Sequence, residues 1–495
     1  MSETRHLGIV VTAFVAVLVL AGCSHAVFPS TTTTGGTNPL ILTIHDTPPN
    51  DTTVTSFEVT VTGAVLQPGN VSLISSPQTV ELTQLQINSF LLAETSQAPA
   101  GTYTSLEITY SSPQYTFIND TGGSVTIGTL TCNAGASCVV SSPTASVLTD
   151  TVNFSSGITV GQNQTLLEFD VNLNNVIQSD YSLNFGDSGA VTVTQSTNSS
   201  GTTTLGTMEV AGQVGLVDAS SSQFALTAST GQSFTITAGS GTIFEFARAS
   251  CTDNNFTCIA AGQIVDVTVD IQSDGATLDA GEIDYDDASG TQQVSGTIVA
   301  ENGAPPTSFT LVVHNTDPAV STVPVGTPLT VTISNTASYF INNGSFLLPT
   351  GVSFASTSDI IVGQEVEARV ESGTSITNNA FTTDRLALEQ TQLQAAVSSI
   401  SSQASPFPFF VLSPLPALYS SASVGSSLQF EVVDTSSQAG TGVTGTVYQD
   451  LSPANITSLT DLEPLTVGGF LFNTTSTVGS PSIIATVVRG EVTGT

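Results

Sequence analysis

No lysine occurs anywhere in the 495 residues; besides four His, the only basic side chains are Arg5, Arg248, Arg369, Arg385 and Arg489. That absence excludes Schiff-base chemistry, Walker-type phosphate loops and Ser-Lys dyads, each of which needs an amine at a fixed place. Against the five Arg stand 39 acids, giving a net charge of -34. Nucleic-acid binding draws its affinity from clustered Lys and Arg, so it is excluded here. Electrostatic docking on anionic lipid is disfavoured for the same reason. Tryptophan is also missing, which removes the largest aromatic platform for a sugar, and eight Tyr are thin cover. Charged residues make up only 9% of the chain, against about 25% in ordinary soluble domains. Disorder is not implied, because 39% of the residues are hydrophobic and 24 are Phe. Disordered chains combine few apolar residues with high charge density. The length exceeds one ordinary domain and suggests about three or four.

What is present begins with an address. Arg5 and His6 precede an uncharged run of 14 residues, Leu7 to Leu20, ending in Leu20-Ala21-Gly22-Cys23. A positive start, a short apolar segment and small residues before a cleavage point make a secretory signal. The run is too short to span a bilayer, which takes about 20 residues as a helix. With its Cys directly after Leu-Ala-Gly, this signal resembles that of bacterial lipoproteins. The resemblance implies cleavage before Cys23 and lipid attachment at Cys23, which anchors the chain to a membrane. Ser24 follows, rather than the Asp that retains many such lipoproteins at the inner membrane, so an outer-membrane or cell-surface location is expected. No cofactor is expected.

The remaining cysteines fall into two local pairs, Cys132 with Cys138 and Cys251 with Cys258. In an oxidising compartment an even count reads as two disulfides, each worth roughly 2 kcal/mol for so short a loop. Zinc is the rival, although neither spacing is the one zinc motifs favour.

Beyond a Ser/Thr/Gly-rich tether the chain alternates with period two, as in Phe57-Val59-Val61, and turn signals such as Pro68-Gly69-Asn70 punctuate it. The fold class is all-β. One helix candidate, about Arg385 to Ile400, is ambiguous because Leu386 and Leu388 also alternate. A repeat pairs Gly262-Gln263-Ile264-Val265-Asp266-Val267 with Gly363-Gln364-Glu365-Val366-Glu367-Ala368. Each unit opens alike, with Val210-Ala-Gly-Gln-Val214 and then Val294-Ser-Gly-Thr-Ile298. A degraded third copy is expected to start near Gln394-Ala-Ala-Val397 and to turn at Val467-Gly468-Gly469. Units of this length suit small barrels of five or six strands.

Three motifs carry a second resemblance: Leu42-Thr-Ile-His-Asp46, Pro99-Ala-Gly-Thr-Tyr103, and Leu166-Leu-Glu-Phe-Asp-Val-Asn-Leu173. On them, the segment from Leu40 to Thr194 resembles an uncharacterised N-terminal domain family of bacterial lipoproteins, which implies a β-sandwich. The later units resemble uncharacterised tandem OB-like barrels of exported proteins. The expected organisation is a signal peptide at 1–22, a lipidated Cys and tether at 23–38, and a sandwich at 39–194. A Ser/Thr linker follows at 195–207, then barrels at 208–290 and 291–391 and a degenerate third at 392–495. Neither family brings an assigned activity.

Several constellations invite chemistry. Asp120-Thr121-Gly122 and Asp187-Ser188-Gly189 resemble the paired turns of aspartic proteases, in which two carboxylates share a proton. Asn119 and Gly186 nevertheless stand where an apolar strand would run into each Asp. Ser188 with His45 upstream echoes a nucleophile and base, but without the surrounding motif. His25 and His314 are too scattered for a relay. Glu282, Asp284 and Asp286, with Asp279 and Asp287 nearby, are weak calcium candidates whose alternation fits a solvated strand face. Phe407, Phe409 and Phe410 form the densest aromatic cluster, of core or interface type. The expected function is a non-enzymatic, membrane-anchored envelope lipoprotein with a structural, adhesive or partner-binding role. Its partner would be an envelope protein or polysaccharide; the oligomeric state is open. A polysaccharide- or calcium-binding surface module is the alternative, and a secreted acid hydrolase a remote one. The acid excess favours solubility through mutual repulsion, which an acidic habitat would relieve.

Overall fold

The computed structural model describes residues 40–490 except 48–52, 96–97, 142, 162–164, 198–203, 229–232, 246–250, 252–254, 273–277, 287–291, 318–322, 345, 403–408, 413–417, 420–427, 434–444, 450, 452–463 and 474–480. The signal, Cys23, His25, the tether, Asp287 and Phe407 lie outside the described residues. Within them the protein is all-β, an N-terminal sandwich followed by three five-stranded barrels.

In the sandwich, Leu40–Thr47 lies between Thr165–Asn172, to which it is parallel, and Phe90–Thr95, to which it is antiparallel. Val191–Thr197 continues the sheet beyond Thr165–Asn172. The facing sheet is built on the long strands Thr53–Gln67 and Gly101–Ile118, with Thr149–Val160 at one edge. Period two decides what packs where. Leu40, Leu42 and Ile44 point into the sandwich core, whereas Ile41 points the other way and joins the core of the first barrel with Leu166. One strand thus serves two cores, which explains its nearly continuous apolar run. Each such side chain contributes about 1.5–3 kcal/mol by leaving water.

The first barrel comprises Thr204–Asp218, Gln223–Ala228, Ser233–Glu245, Ile264–Gln272 and Leu278–Asp286. Its third and fifth strands are parallel and its fourth closes on its first, giving the cyclic order 1-2-3-5-4. The second repeats that order with Gln293–Gly303, Pro306–Asp317, Pro328–Ile341, Glu365–Val370 and Ala380–Leu388. This is the expected OB-like topology. The linker assigned to 195–207 is bordered by strand on both sides, since Val191–Thr197 reaches into it and Thr204–Asp218 begins within it.

The Gly-Gln repeat has a physical cause. Gly262 and Gly363 adopt φ of +92° and +93°, a conformation in which a Cβ is strained. The Gln that follows staples the turn before the fourth strand. Gln263 Oε1 accepts from Ala260 N at 2.6 Å, and its Nε2 donates to Cys258 O at 3.1 Å. Gln364 makes the same pair of contacts, with Ile361 N at 2.9 Å and Asp359 O at 3.0 Å. The short 3-10 turn upstream is secured differently in each barrel. In the first, the Cys251–Cys258 disulfide reaches it; in the second, the Asp359 carboxylate caps Ser356 N and Ala355 N. The other expected disulfide, Cys132–Cys138, is also present and joins Leu130–Cys132 to Ser137–Val140.

The third barrel, expected as a degenerate copy, is present, and two other expectations are corrected. The third unit is a complete barrel, with Thr391–Ser402, Phe409–Leu412, Leu428–Val432, Pro464–Phe472 and Ser482–Gly490 closing in the same cyclic order. A further piece, Val447–Gln449, pairs beside the fifth strand as a continuation of the third. The supposed turn at Val467-Gly468-Gly469 is instead a bulge inside the fourth strand. Bulges stand at the matching positions Thr268/Val269 and Arg369/Val370, so the irregularity belongs to the fold. Finally, Arg385 to Ile400 is no helix. It is the end of the second barrel's fifth strand and the start of the third barrel's first, because pairing partners override the helical propensity of Leu, Ala and Gln.

Candidate functional site

Several described ionisable residues meet where modules join. The organising element is the loop from Leu82 to Ser89, which leads from Gln78–Glu81 into Phe90–Thr95. Glu81 anchors its start: one carboxylate oxygen accepts from Phe57 N at 2.8 Å and Thr83 Oγ1 at 2.7 Å, the other from Ser56 Oγ at 2.8 Å. The following residues are gripped from elsewhere. Gln392 Oε1, in the third barrel, accepts from Gln86 N and Ile87 N at 2.9 and 3.1 Å. Ser89 O accepts from Glu209 N of the first barrel at 2.6 Å. Arg489, on the last strand, donates to Ile87 O at 3.2 Å and to Glu168 at 3.3 Å. The Ser89 hydroxyl donates to the other oxygen of Glu168. Burial pushes the Glu168 carboxyl up, but Arg489, His45 and Ser89 together outweigh it and hold it below the usual range.

Beside this clamp, His45 Nε2 lies 3.6 Å from Asp170, and Thr47 Oγ1 donates to both oxygens of Asp170 at 3.0 Å. The hydroxyl serves the carboxylate and not the imidazole, so this trio lacks the nucleophile-to-base bond a relay requires. A second clamp joins the second barrel to the sandwich. His314 Nε2 donates to Thr55 O at 2.7 Å and Nδ1 to Glu365 Oε1 at 2.9 Å, with Thr297 Oγ1 on the other oxygen at 2.8 Å. Burial alone would lower the imidazole, but the Glu365 carboxylate overrides it and raises His314 to about 9. Arg369 pairs with Asp384 at 2.8 Å and Arg385 lies 4.5 Å from the centre of the Phe340 ring. Every Arg and His among the described residues therefore has an internal partner.

The sequence candidates fall apart against this frame. Asp120 belongs to a turn whose geometry is set by Asn119, which accepts from Thr121 N and Oγ1. Asp187 accepts from Ser188 N at 2.8 Å in an exposed turn after Leu183–Asn184. The two turns thus terminate different elements, and His45 faces Asp170 instead of Ser188. Glu282 and Asp284 flank the buried Ile283 on the fifth strand of the first barrel, Glu282 is engaged by Gln390 Nε2, and the Asp286 side chain lies outside the described residues. No three His, Cys, Asp or Glu side chains among the described residues converge to hold a metal. Sequence reasoning missed Glu168, Arg489, Glu365 and Gln390. Rarity was the available signal, since a cation inside a strand of a lysine-free chain has to be held by something.

Asp46 is the outlier. It is 1% exposed, and neither carboxylate oxygen has a hydrogen-bond partner. Burial, then Asp170 and Glu81, push its carboxyl well above the usual range. A raised acid contributes stability that is complete below its unfolded pKa and is lost as pH rises through its folded pKa. Asp46→Asn should therefore melt like the native protein near pH 4 and higher than it at pH 8. The gain comes from the charge, since an amide there stays neutral while leaving the same polar positions unpaired, and each pH unit by which the carboxyl is raised is worth about 1.36 kcal/mol. Equal melting temperatures at both pH values would refute this account of Asp46.

No family model matches the chain, and no curated protein matches it. A solved structure, drosophila Unr CSD456, aligns over 58% of this chain and 98% of its own length, at 10% identity and a TM-score of 0.14. A score that low carries no argument, and the OB-like assignment rests on the strand order of the barrels themselves.

Proposed function

We propose that the protein is a non-enzymatic lipoprotein of the bacterial cell envelope, anchored through Cys23 at the outer membrane or cell surface. Its role is structural, adhesive or partner-binding. The observation that carries the reading is the use of the scarce cations. Among the described residues Arg489 and His314 join modules, His45, Arg369 and Arg385 are engaged within one, and together they do not gather as a set of acid, base and nucleophile. The Leu-Ala-Gly-Cys signal and two disulfides fit an exported chain. A calcium-binding surface module is the second reading, favoured by Asp270 and Asp279, which stand opposite each other on adjacent strands of the first barrel. Burial, with Asp279 beside it, raises the Asp270 carboxyl, and a bound cation would relieve that repulsion.

Fractionation of producing cells tests the anchor. The native chain should partition with membranes, and a Cys23→Ala chain should be recovered in the soluble fraction. Cross-linking in intact cells should then capture a protein or polymer with the native chain only. Membrane attachment that survives Cys23→Ala would refute the anchor. A hydrolytic activity abolished by Asp120→Ala or Ser188→Ala would refute the non-enzymatic role.

A further inference from the structure

Asp46 sits where its strand exchanges one neighbour for another. Leu40–Thr47 is paired with Thr165–Asn172 along its whole length, Asp46 opposite Val171, but its ladder with Phe90–Thr95 ends at the Ile44–Phe90 pair. Beyond that pair the Leu82–Ser89 loop takes over, and Asp46 N donates to Leu85 O at 3.1 Å. Leu82 and Leu85 are buried there. The Glu81 carboxylate ties down the first turn of the loop, accepting from Thr83 N at 3.2 Å and Thr83 Oγ1 at 2.7 Å.

A buried carboxyl whose two oxygens have no partner is tolerated as the neutral acid, whereas its carboxylate needs donors or water. The surrounding charges weigh further against the ion. Asp170 on the paired strand and Glu81 at the head of the loop both act on Asp46. Glu58, on Thr53–Gln67, adds a third carboxylate beside Glu81. Asp170 has Glu168, His45 and Arg489 beside it. Tyr110, in the same core, is kept neutral by burial. Relief has one open direction. Moving Leu40–Thr47 would break the ladder with Thr165–Asn172, whereas lifting the loop gives up the Asp46 N–Leu85 O bond and the packing of Leu85, and it admits water to the carboxylate.

What the loop holds gives this local event a long reach. Gln86 N and Ile87 N donate to Gln392, and Ile87 O accepts from Arg489, both in the third barrel. Ser89 O accepts from Glu209 N in the first. The Ile87 side chain also fills the space over Gly468, where a Cβ would collide with it.

We propose that the Leu82–Ser89 loop is a proton-controlled latch between the sandwich and the first and third barrels. It is closed while Asp46 is a neutral acid, and it opens when Asp46 gives its proton to the water that enters. The barrels are thus held firmly in acid and loosened as the surroundings become alkaline. The sign follows from burial, which raises the carboxyl in the closed form. Closure is fully favoured below the ordinary value of 3.8, and that advantage is lost as pH rises through the raised one. Between the two, the open fraction should grow about tenfold per pH unit, the slope for one proton.

Hydrogen exchange of the full chain, read by mass spectrometry and corrected for the intrinsic rate at each pH, tests this. Peptides covering 82–89 should lose protection about tenfold per pH unit upward from about pH 4, while peptides from Gly101–Ile118 keep theirs. The series stops below the His314 transition at about 9. In Asp46→Asn the 82–89 peptides should stay protected at every pH. Protection of 82–89 that does not change with pH in the native chain would overturn the proposal. So would exchange of 82–89 only in step with Gly101–Ile118, which would mean unfolding of the sandwich. Both outcomes are read on the native chain, whether or not the variant folds. A folded Asp46→Asn chain with the native pH dependence would assign the proton to another group and overturn the latch equally.

Discussion

His314→Ala should be among the most damaging single substitutions in the protein, lowering stability by about 3–5 kcal/mol, as expected when one partner of a buried ion pair is removed. The reason is the group left behind. Glu365 is 7% exposed and would keep Thr297 as a partner but lose its counter-charge, while Thr55 O would lose its donor. The damage should be local to one junction, because Gly326 and Thr116 meet there too, with the Thr116 hydroxyl donating to Gly326 O at 2.6 Å. Hydrogen exchange in His314→Ala should accelerate in Thr53–Gln67 and around Gly326 before it changes in the first barrel. A paired change, His314→Leu with Glu365→Met, removes both charges and should recover most of the loss. If the single variant melts like the native chain, the clamp contributes nothing.

The same clamp sets a pH dependence with a definite sign. The folded imidazole titrates at about 9, above its ordinary 6.5. Its contribution is complete below about pH 6.5 and disappears as pH rises through 9, a difference of about 3 kcal/mol at 1.36 kcal/mol per unit. Burial is also the leading cause that raises Asp46, Glu58, Asp150, Asp170 and Asp270. Raised acids have the same sign as His314, stabilising on the acid side of their transitions. Glu168 runs opposite, since Arg489 and its neighbours lower it. Five raised carboxylates and His314 against one buried lowered carboxylate incline the fold toward acid, in keeping with the relief of repulsion expected from the charge count.

Strands were legible because alternation reports a half-buried sheet directly, and Phe57-Val59-Val61 is buried as its pattern demands. The first two barrels were legible because their fourth strands begin with the same strained glycine and the same Gln staple. The third was obscured for a concrete reason. Counting back from Leu465, which pairs with Ala395 as Val265 pairs with Gly212, the Gly-Gln position falls on Leu462-Glu463. The glycines that drew attention, Gly468 and Gly469, mark a bulge, and Gly468 also makes room for Ile87 from the sandwich. Contacts between modules were not legible at all. Nothing local in Gln390 says that its partners lie about a hundred residues away, nor in Gln392 or Arg489 that theirs lie more than three hundred away.

Gly296→Ala should destabilise the second barrel by about 3 kcal/mol, the upper part of the range for overpacking a closed interior. A Cβ at this position would stand 2.0 Å from Val312 O and 2.8 Å from Val312 C, and both atoms belong to the neighbouring strand's backbone. Backbone cannot rotate aside as a side chain can. Relief would require the first and second strands to part, and the closed ring transmits that strain to the Val294–Ala368 and Gly296–Val366 pairings on the other side. The matching Gly212 is less crowded, its nearest atom being Thr227 O at 2.5 Å, so Gly212→Ala should do less harm. The third barrel supplies the control. Ala395 occupies the same register, so a methyl group stands in the third barrel where the first two hold glycine. Thermal unfolding of the three substitutions Gly296→Ala, Gly212→Ala and Ala395→Gly should rank them in that order of damage. A neutral Gly296→Ala would mean that the strands yield without cost, and the close approach of the barrel strands would not be what holds glycine at this position.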